Sequence, residues 1–246
     1  MKDSFDRTVD YVRIAVTDRC NLRCFYCMPA QGIPYEPKSH LLSYEEITRL
    51  LGVLGGLGFR KVRFTGGEPF LRKDFMKLLE NTAGLQAYKS IHITSNGTLL
   101  QRHIPRLKEL GITKINLSID SLDAARFQKI TRRNDFDKVM KTFQMLVEHG
   151  FELKLNSVIM HGINTQDIIP LAELAREYPV AVRFIEEMPF NGGYKENVKM
   201  YNARQIFADL KEHFPEIEKL PGAHGDTADL YSVPGFQGTV GVIAAF

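Results

Sequence analysis

The sequence predicts an α/β protein built as a partial (β/α)6 barrel of TIM-like architecture. Two observations predict it. Short runs rich in β-branched residues alternate with longer helical patterns six times between residues 11 and 213, the signature of βα units and a parallel sheet. Each predicted strand also has one apolar and one polar face, whereas parallel strands covered by helices on both sides are apolar on both. A closed or partly closed barrel with a polar lumen satisfies that pattern; an open sheet with some strands at a wet edge is the alternative. A complete (β/α)8 barrel fills its interior with branched aliphatics. Six units with a polar interior therefore point to a partial barrel around a ligand cavity.

In chain order, the first strand is expected over Tyr11–Val16, with Arg13 opposing Val12 and Ile14, because residues two apart share a face. Ser43-Tyr-Glu-Glu46 reads as a capping box, and the helix it opens runs to about Leu57 and stops near Gly58. The second strand, Lys61–Thr65, sets Lys61, Arg63 and Thr65 against Val62 and Phe64. A helix over Lys73–Asn81 leads to the strand Ser90–Thr94, where His92 and Thr94 oppose Ile91 and Ile93. A helix at Arg102–Leu110 precedes the strand Lys114–Ser118, whose continuation sets Asn116, Ser118 and Asp120 against Ile115, Leu117 and Ile119. The helix Asp137–Glu148 leads to the strand Glu152–Ile159, with Lys154 and Asn156 opposing Leu153 and Leu155. The helix Thr165–Glu177 precedes the strand Ala181–Ile185, where Arg183 opposes Val182 and Phe184, and a helix over Asn202–His213 closes the series. A stretch rich in Gly and Pro, Leu220–Gly238, then leads to the apolar run Thr239–Phe246. The expected division is a core over residues 1–213 and, over 214–246, the start of a C-terminal extension cut within that run.

Five cations, Arg13, Lys61, Arg63, Lys154 and Arg183, fall on the polar faces. Facing one lumen they would repel one another without an anion between them, which predicts a multiply charged anionic ligand such as a polyphosphate. With 246 residues, 44% apolar and 25% charged, the chain can bury a sizeable core, which excludes a disordered, collagen-like or coiled-coil protein. The net charge of +3 is too small to argue for nucleic acid or an anionic membrane. No apolar run approaches about 20 residues, so no spanning helix is expected. The N-terminus MKDSFDRTVD has no apolar segment after its charges, so no secretory signal is read and the expected compartment is the cytoplasm.

All three cysteines lie within eight residues, as Cys20-Asn-Leu-Arg-Cys24-Phe-Tyr-Cys27, in the loop at the C-terminal end of the first strand. That is where βα barrels build their active sites. An odd number of clustered cysteines without a signal peptide argues against a disulfide framework. A structural zinc site wants four closed ligands, and the chain has no fourth cysteine. His40 could complete Cys3His, but its spacing matches no zinc module. Three thiolates on a four-iron cluster leave one iron open, an unfinished structural site but a usable catalytic one.

This C-x3-C-x2-C after the first strand resembles the signature of the radical S-adenosylmethionine (SAM) enzymes, and Thr65-Gly66-Gly67-Glu68-Pro69 resembles that family's GGEP motif. The resemblance implies a partial barrel of the radical SAM type, a 4Fe–4S cluster, SAM at its open iron, and cleavage of SAM to methionine and a 5′-deoxyadenosyl radical. Val16-Thr-Asp-Arg-Cys-Asn21, Tyr26-Cys-Met-Pro29, Arg63–Pro69, Thr94-Ser-Asn-Gly97, Asn116-Leu-Ser-Ile-Asp120 and Arg183-Phe-Ile-Glu-Glu-Met-Pro189 narrow the resemblance to the GTP 3′,8-cyclases of molybdenum cofactor biosynthesis. These are lyases that convert GTP to (8S)-3′,8-cyclo-7,8-dihydroguanosine 5′-triphosphate. Carried over by position, Cys20, Cys24 and Cys27 would hold the cluster. Tyr26, Gly66, Gly67, Glu68, Ser118 and Met188 would line the SAM site. Arg13, Lys61, Arg63, Thr94, Lys154 and Arg183 would contact GTP.

The resemblance also implies an electron donor such as flavodoxin or ferredoxin, a homodimer, and cyclic pyranopterin monophosphate synthase as the next enzyme. The family carries a second cysteine group that binds another 4Fe–4S cluster and holds guanine, and a Gly-Gly tail; neither is in these 246 residues. SAM cleavage without efficient cyclisation is therefore the expectation for this chain. The competing readings are a radical SAM enzyme acting on a peptide or other small molecule, and a non-catalytic zinc-binding module. The remaining histidines and the basic pair Arg132-Arg133 read as solvated or satisfied surface.

Overall fold

The computed structural model describes residues 2–188, 200–222 and 227–245. The chain divides into two compact units, one of Met1–Asn21, Ile33–Asn116 and Lys141–Glu152, the other of Leu22–Gly32, Leu117–Met140 and Leu153–Phe246. No division falls at residue 213, where the sequence suggested one.

In the first unit, β1 (Tyr11–Ala15), β2 (Lys61–Thr65) and β3 (Ser90–Ser95) pair in parallel. The helices α1 (Tyr44–Gly56) and α2 (Phe75–Gly84) lie between them in sequence, and α3 (Ile104–Glu109) follows. The capping box forms as expected: Ser43 Oγ accepts from Glu46 N at 3.1 Å, and Glu46 Oε2 accepts from Ser43 N at 2.7 Å. Strand faces alternate as predicted. Val62, Phe64, Ile91 and Ile93 are buried, while Arg63, Thr65, His92 and Thr94 are half-buried. Phe64 meets Phe75 of α2 edge to face at 5.8 Å, and Leu78 and Leu79 complete that layer. Each fully buried Leu or Phe stabilises by about 1.5–3 kcal/mol. That sum fixes which strand face turns away from the helices.

The boundary between units falls within β4 (Lys114–Ser118) and within α5 (Phe136–Glu148), and just after the first residue of β5 (Glu152–Ile159). The second unit holds α4 (Ala124–Thr131), the rest of β5, α6 (Ile168–Glu177), β6 (Ala181–Glu186) and α7 (Ala203–His213). It ends in β7 (Glu218–Lys219), β8 (Asp229–Ser232) and β9 (Thr239–Ile243). Here β5, β6 and β9 run parallel, whereas β8 is antiparallel to β9 and β7 to β8.

Two features depart from the sequence reading. The expected extension is part of this sheet, because Val240 and Val242 alternate onto the apolar face beside Val182 and Phe184. Helix α4 was not predicted; Asp123 caps it by accepting from Arg126 N at 2.7 Å, and Arg132 closes it in the left-handed conformation at φ 55°. Among the described residues no helix is long and apolar enough to cross a membrane. Pro189 and Phe246, which end a motif and an apolar run in the sequence, lie outside the described residues.

Candidate functional site

In the first unit, the loop after β1 is laced onto the loop after β2. Val16 N donates to Thr65 O at 2.9 Å, Gly67 N to Thr17 O at 2.7 Å, and Glu68 N to Arg19 O at 2.8 Å. A Cβ on Gly67 would stand 2.2 Å from Arg19 O, and one on Gly66 2.4 Å from Thr17 O. The sequence suggested that these glycines let a ligand approach; the neighbour they admit is the backbone leading into Cys20.

Glu68, expected on the SAM site, has its carboxylate committed to partners within the protein. It is wholly buried, and its carboxylate accepts from Phe70 N, Ser95 Oγ and Asn96 N at 2.7–3.1 Å. Burial pushes its pKa up to about 7 against the pull of those three donors. It braces the loop after β2 to the end of β3. Asn96, held there, turns Nδ2 to Cys20 Sγ at 3.7 Å and to Asn21 Oδ1 at 3.0 Å.

In the second unit, Cys24 and Cys27 sit on one turn, with Cys27 N and Met28 N both donating to Cys24 O at 2.9 and 2.8 Å. The turn is anchored to the end of α4. Arg23 N reaches Thr131 O, Phe25 N reaches Ile130 O, and Arg132 Nη1 donates to Arg23 O and Met28 O at 3.1 and 2.9 Å. Arg132 is exposed, as the sequence suggested, and also ties the cysteine loop. Tyr26, between the two cysteines, donates to Asp120 Oδ2 at 2.9 Å. Burial, and then the Asp120 charge, hold its phenol well above the ordinary value. Burial pushes Asp120 up to about 6, although Val158 N and Tyr26 both donate to it. Burial and Asp120 also push the Cys27 thiol up.

The cations lie where alternation put them. Arg13 is exposed and pairs in register with the half-buried Arg63, which pairs with His92. The Arg63 guanidinium lies 5.5 Å from the Tyr11 ring, and its pKa is lowered by burial and by Arg13. Lys61 is exposed and Thr94 half-buried. In the second unit Lys154 is exposed, whereas Arg183 is 7% exposed and gives both Nε and Nη2 to Asn156 Oδ1 at 2.9 and 2.7 Å. Arg183 thus begins as a partner of Asn156, not as an open phosphate contact. Both cations line a cavity of about 50 Å³ with Ala181, Thr227, Ala228 and Leu230. A larger one, about 440 Å³ and lined by Thr165, Gln166, Ile169, Asp209, Glu212 and His213, contains no predicted site residue. Ser118 is half-buried and Met188 is 46% exposed.

None of the three cysteines forms a disulfide. Among the described residues no three His, Cys, Asp or Glu side chains are gathered as a ready metal site. The fit to an iron–sulfur cluster rests on donor chemistry: three soft thiols on one short segment, with an amide N–H directed at the first sulfur. Sequence reasoning missed Asn96, Asp120 and Arg132 as supports of this segment. The first two lie inside quoted motifs, and the capping aspartate of α4 was the available signal for the third.

A family model described as the radical SAM superfamily matches residues 14–175. The chain is 40% identical over 245 residues to molybdenum cofactor biosynthesis protein 1 of Drosophila melanogaster, covering all of this chain and 43% of that protein. It is 39% identical over 247 residues to a GTP 3′,8-cyclase of Clostridium botulinum, covering 99% of this chain and 76% of that one. The chain thus spans less than half the length of the fly relative. Among solved structures, Streptococcus suis SuiB, bound to the precursor peptide SuiA, superposes with a TM-score of 0.67 at 21% identity, over 84% of this chain and 46% of that one. That likeness carries the fold, the partial barrel expected from the sequence. The family match and the bacterial relative carry the rest: the chain belongs to the radical SAM superfamily, within the family of the GTP 3′,8-cyclases.

Proposed function

We propose that the chain is the radical-generating and GTP-binding core of a lyase that cyclises GTP to (8S)-3′,8-cyclo-7,8-dihydroguanosine 5′-triphosphate, the first step of molybdenum cofactor biosynthesis. The observation that carries this reading is the pairing of Arg13 with Arg63 on neighbouring strands. Like charges directly opposite are destabilising in a sheet, so a doubled guanidinium on a polar strand face favours a polyanion. Lys61 adjoins them on the same face, and Thr94 lies further along β3. Lys154 supplies a further cation in the second unit, with Arg183 beside it once drawn from Asn156.

Cys20, Cys24 and Cys27 are assigned to three irons of a 4Fe–4S cluster, with the fourth iron left for SAM. Bound together, the cluster and SAM supply a 5′-deoxyadenosyl radical. The chain's own work is positional. Gly66 and Gly67 let the Cys20 loop pack on β2, Arg132 holds the Cys24–Cys27 turn, and Asp120 fixes Tyr26 between those cysteines. Tyr26, Gly67, Ser118 and Met188 are assigned to SAM. The electron comes from a one-electron donor of the flavodoxin or ferredoxin class, and the product passes to cyclic pyranopterin monophosphate synthase.

GTP deuterated at C3′, incubated anaerobically with the chain, SAM and reductant, tests the reading. Deuterium in the released 5′-deoxyadenosine is expected. Release of unlabelled 5′-deoxyadenosine at an undiminished rate would overturn GTP as substrate.

A further inference from the structure

We infer that Asn96 is a positioning residue for the first cysteine, donating an amide hydrogen bond to Cys20 Sγ that tunes the cluster held there. The inference rests on the assignment of Cys20 as a cluster ligand. The geometry leaves the Asn96 amide one orientation. Its Oδ1 accepts from Thr98 N at 3.0 Å and from Thr98 Oγ1 at 2.7 Å, so the carbonyl end is committed to Thr98. An amide has one carbonyl and one NH2 end, so Nδ2 must face the other way. There it meets Cys20 Sγ at 3.7 Å and Asn21 Oδ1 at 3.0 Å. Flipping the amide would point NH2 at the Thr98 N–H and a carbonyl oxygen at Asn21 Oδ1, breaking both contacts.

The backbone beneath the amide is fixed as firmly. Asn96 N donates to Glu68 Oε2 at 2.7 Å, and Ser95 Oγ donates to both Glu68 oxygens. Glu68, Ser95, Asn96 and Thr98 are all at most 8% exposed. Asn21, the residue after Cys20, closes the ring by donating Nδ2 to Thr98 Oγ1 at 2.8 Å. The chain therefore spends a buried carboxylate, a serine, a threonine and two asparagines on placing one N–H beside one sulfur. A donor aimed at a ligating sulfur stabilises the more negative, reduced state of an iron–sulfur cluster, and such bonds set its potential.

The test uses the full chain, loaded anaerobically with iron and sulfide, as wild type, Asn96→Asp and Asn96→Ser. Both variants keep an oxygen to accept from Thr98 N and so keep the turn; neither keeps the amide N–H. EPR-monitored redox titration should place the midpoint of both below wild type, and the neutral serine variant shows that added charge is not the cause. If one variant does not fold, the other decides. A folded, loaded variant with the wild-type midpoint overturns the inference. So does a folded variant that takes up no iron, or failure of both to fold, since Asn96 would then be a structural residue of the loop. A Cys20→Ala chain that keeps its full cluster would instead overturn the ligand assignment beneath it.

Discussion

The Tyr26 phenol donates to Asp120 Oδ2 at 2.9 Å, which ties the residue between the second and third cysteines to the segment just beyond β4. The other Asp120 oxygen accepts from Val158 N at 2.9 Å, and Asn164 Nδ2 donates to the Asp120 carbonyl at 2.8 Å. Asp120 is thus a hub joining the cysteine turn to the end of β5. Replacing Tyr26 with Phe leaves a buried carboxylate oxygen without that donor, a loss of about 1–3 kcal/mol. Chemical denaturation should show the midpoint falling with an unchanged slope. A Tyr26→Phe chain as stable as wild type would mean that the bond contributes nothing net.

Gly67 is predicted to tolerate no side chain. The obstructing atom, Arg19 O at 2.2 Å from the built Cβ, is backbone and cannot swing aside as a side chain could. Gly67→Ala should cost about 3 kcal/mol, the upper end of ordinary overpacking, or more. Thermal unfolding reads this directly, and a melting temperature within a degree or two of wild type would refute the close approach.

Stability should fall as pH rises from about 4 towards 7. Glu68 and Asp120 have folded pKa values raised to about 7 and about 6, above the ordinary carboxylate range. A group raised in this way stabilises most when protonated, below its unfolded pKa, and its contribution is lost as pH climbs through the folded value. For Glu68 the displacement from 4.5 corresponds to about 3 kcal/mol. Glu68→Gln, which carries no titrating proton, should flatten the slope between pH 5 and 7. An unchanged slope in that variant would assign the pH dependence elsewhere.

Arg13→Ala should separate binding from folding. Losing a charge-assisted contact worth about 1.5–3 kcal/mol weakens GTP binding by about tenfold or more. The loss should be larger for GTP than for guanosine, because the missing partner is phosphate. The fold itself should be unchanged or slightly more stable, since Arg13 lies opposite Arg63 and depresses its pKa. Equal losses for the two ligands would contradict a phosphate role.

The strands were legible because alternation is a local property. Val62, Phe64, Ile91 and Ile93 must share a face wherever the sheet lies, and the polar face follows by subtraction. The GGEP glycines and the cysteine spacing were legible for the same reason. Side-chain commitments were not. Glu68 and Arg183 read as ligand contacts, yet each is claimed by a partner far away in sequence, Ser95 with Asn96 and Asn156 respectively. Arg132 is exposed as read, but nothing in its sequence neighbourhood shows that the Arg23 and Met28 carbonyls will lie beside it. Helix α4 was missed because its eight residues are barely two turns, too short for a sustained helical period, although Asp123 marked its start.

The central claim is that three thiols hold one cluster on which SAM is cleaved. Iron and acid-labile sulfide, measured together on anaerobically reconstituted wild type and Cys24→Ala, test it most directly. The account predicts near-equal iron and sulfide at four of each per wild-type chain, as a 4Fe–4S cluster requires, and loss of both from the variant together with loss of 5′-deoxyadenosine formation from SAM. Zinc alone in the wild type, or a full cluster retained in Cys24→Ala, would contradict it.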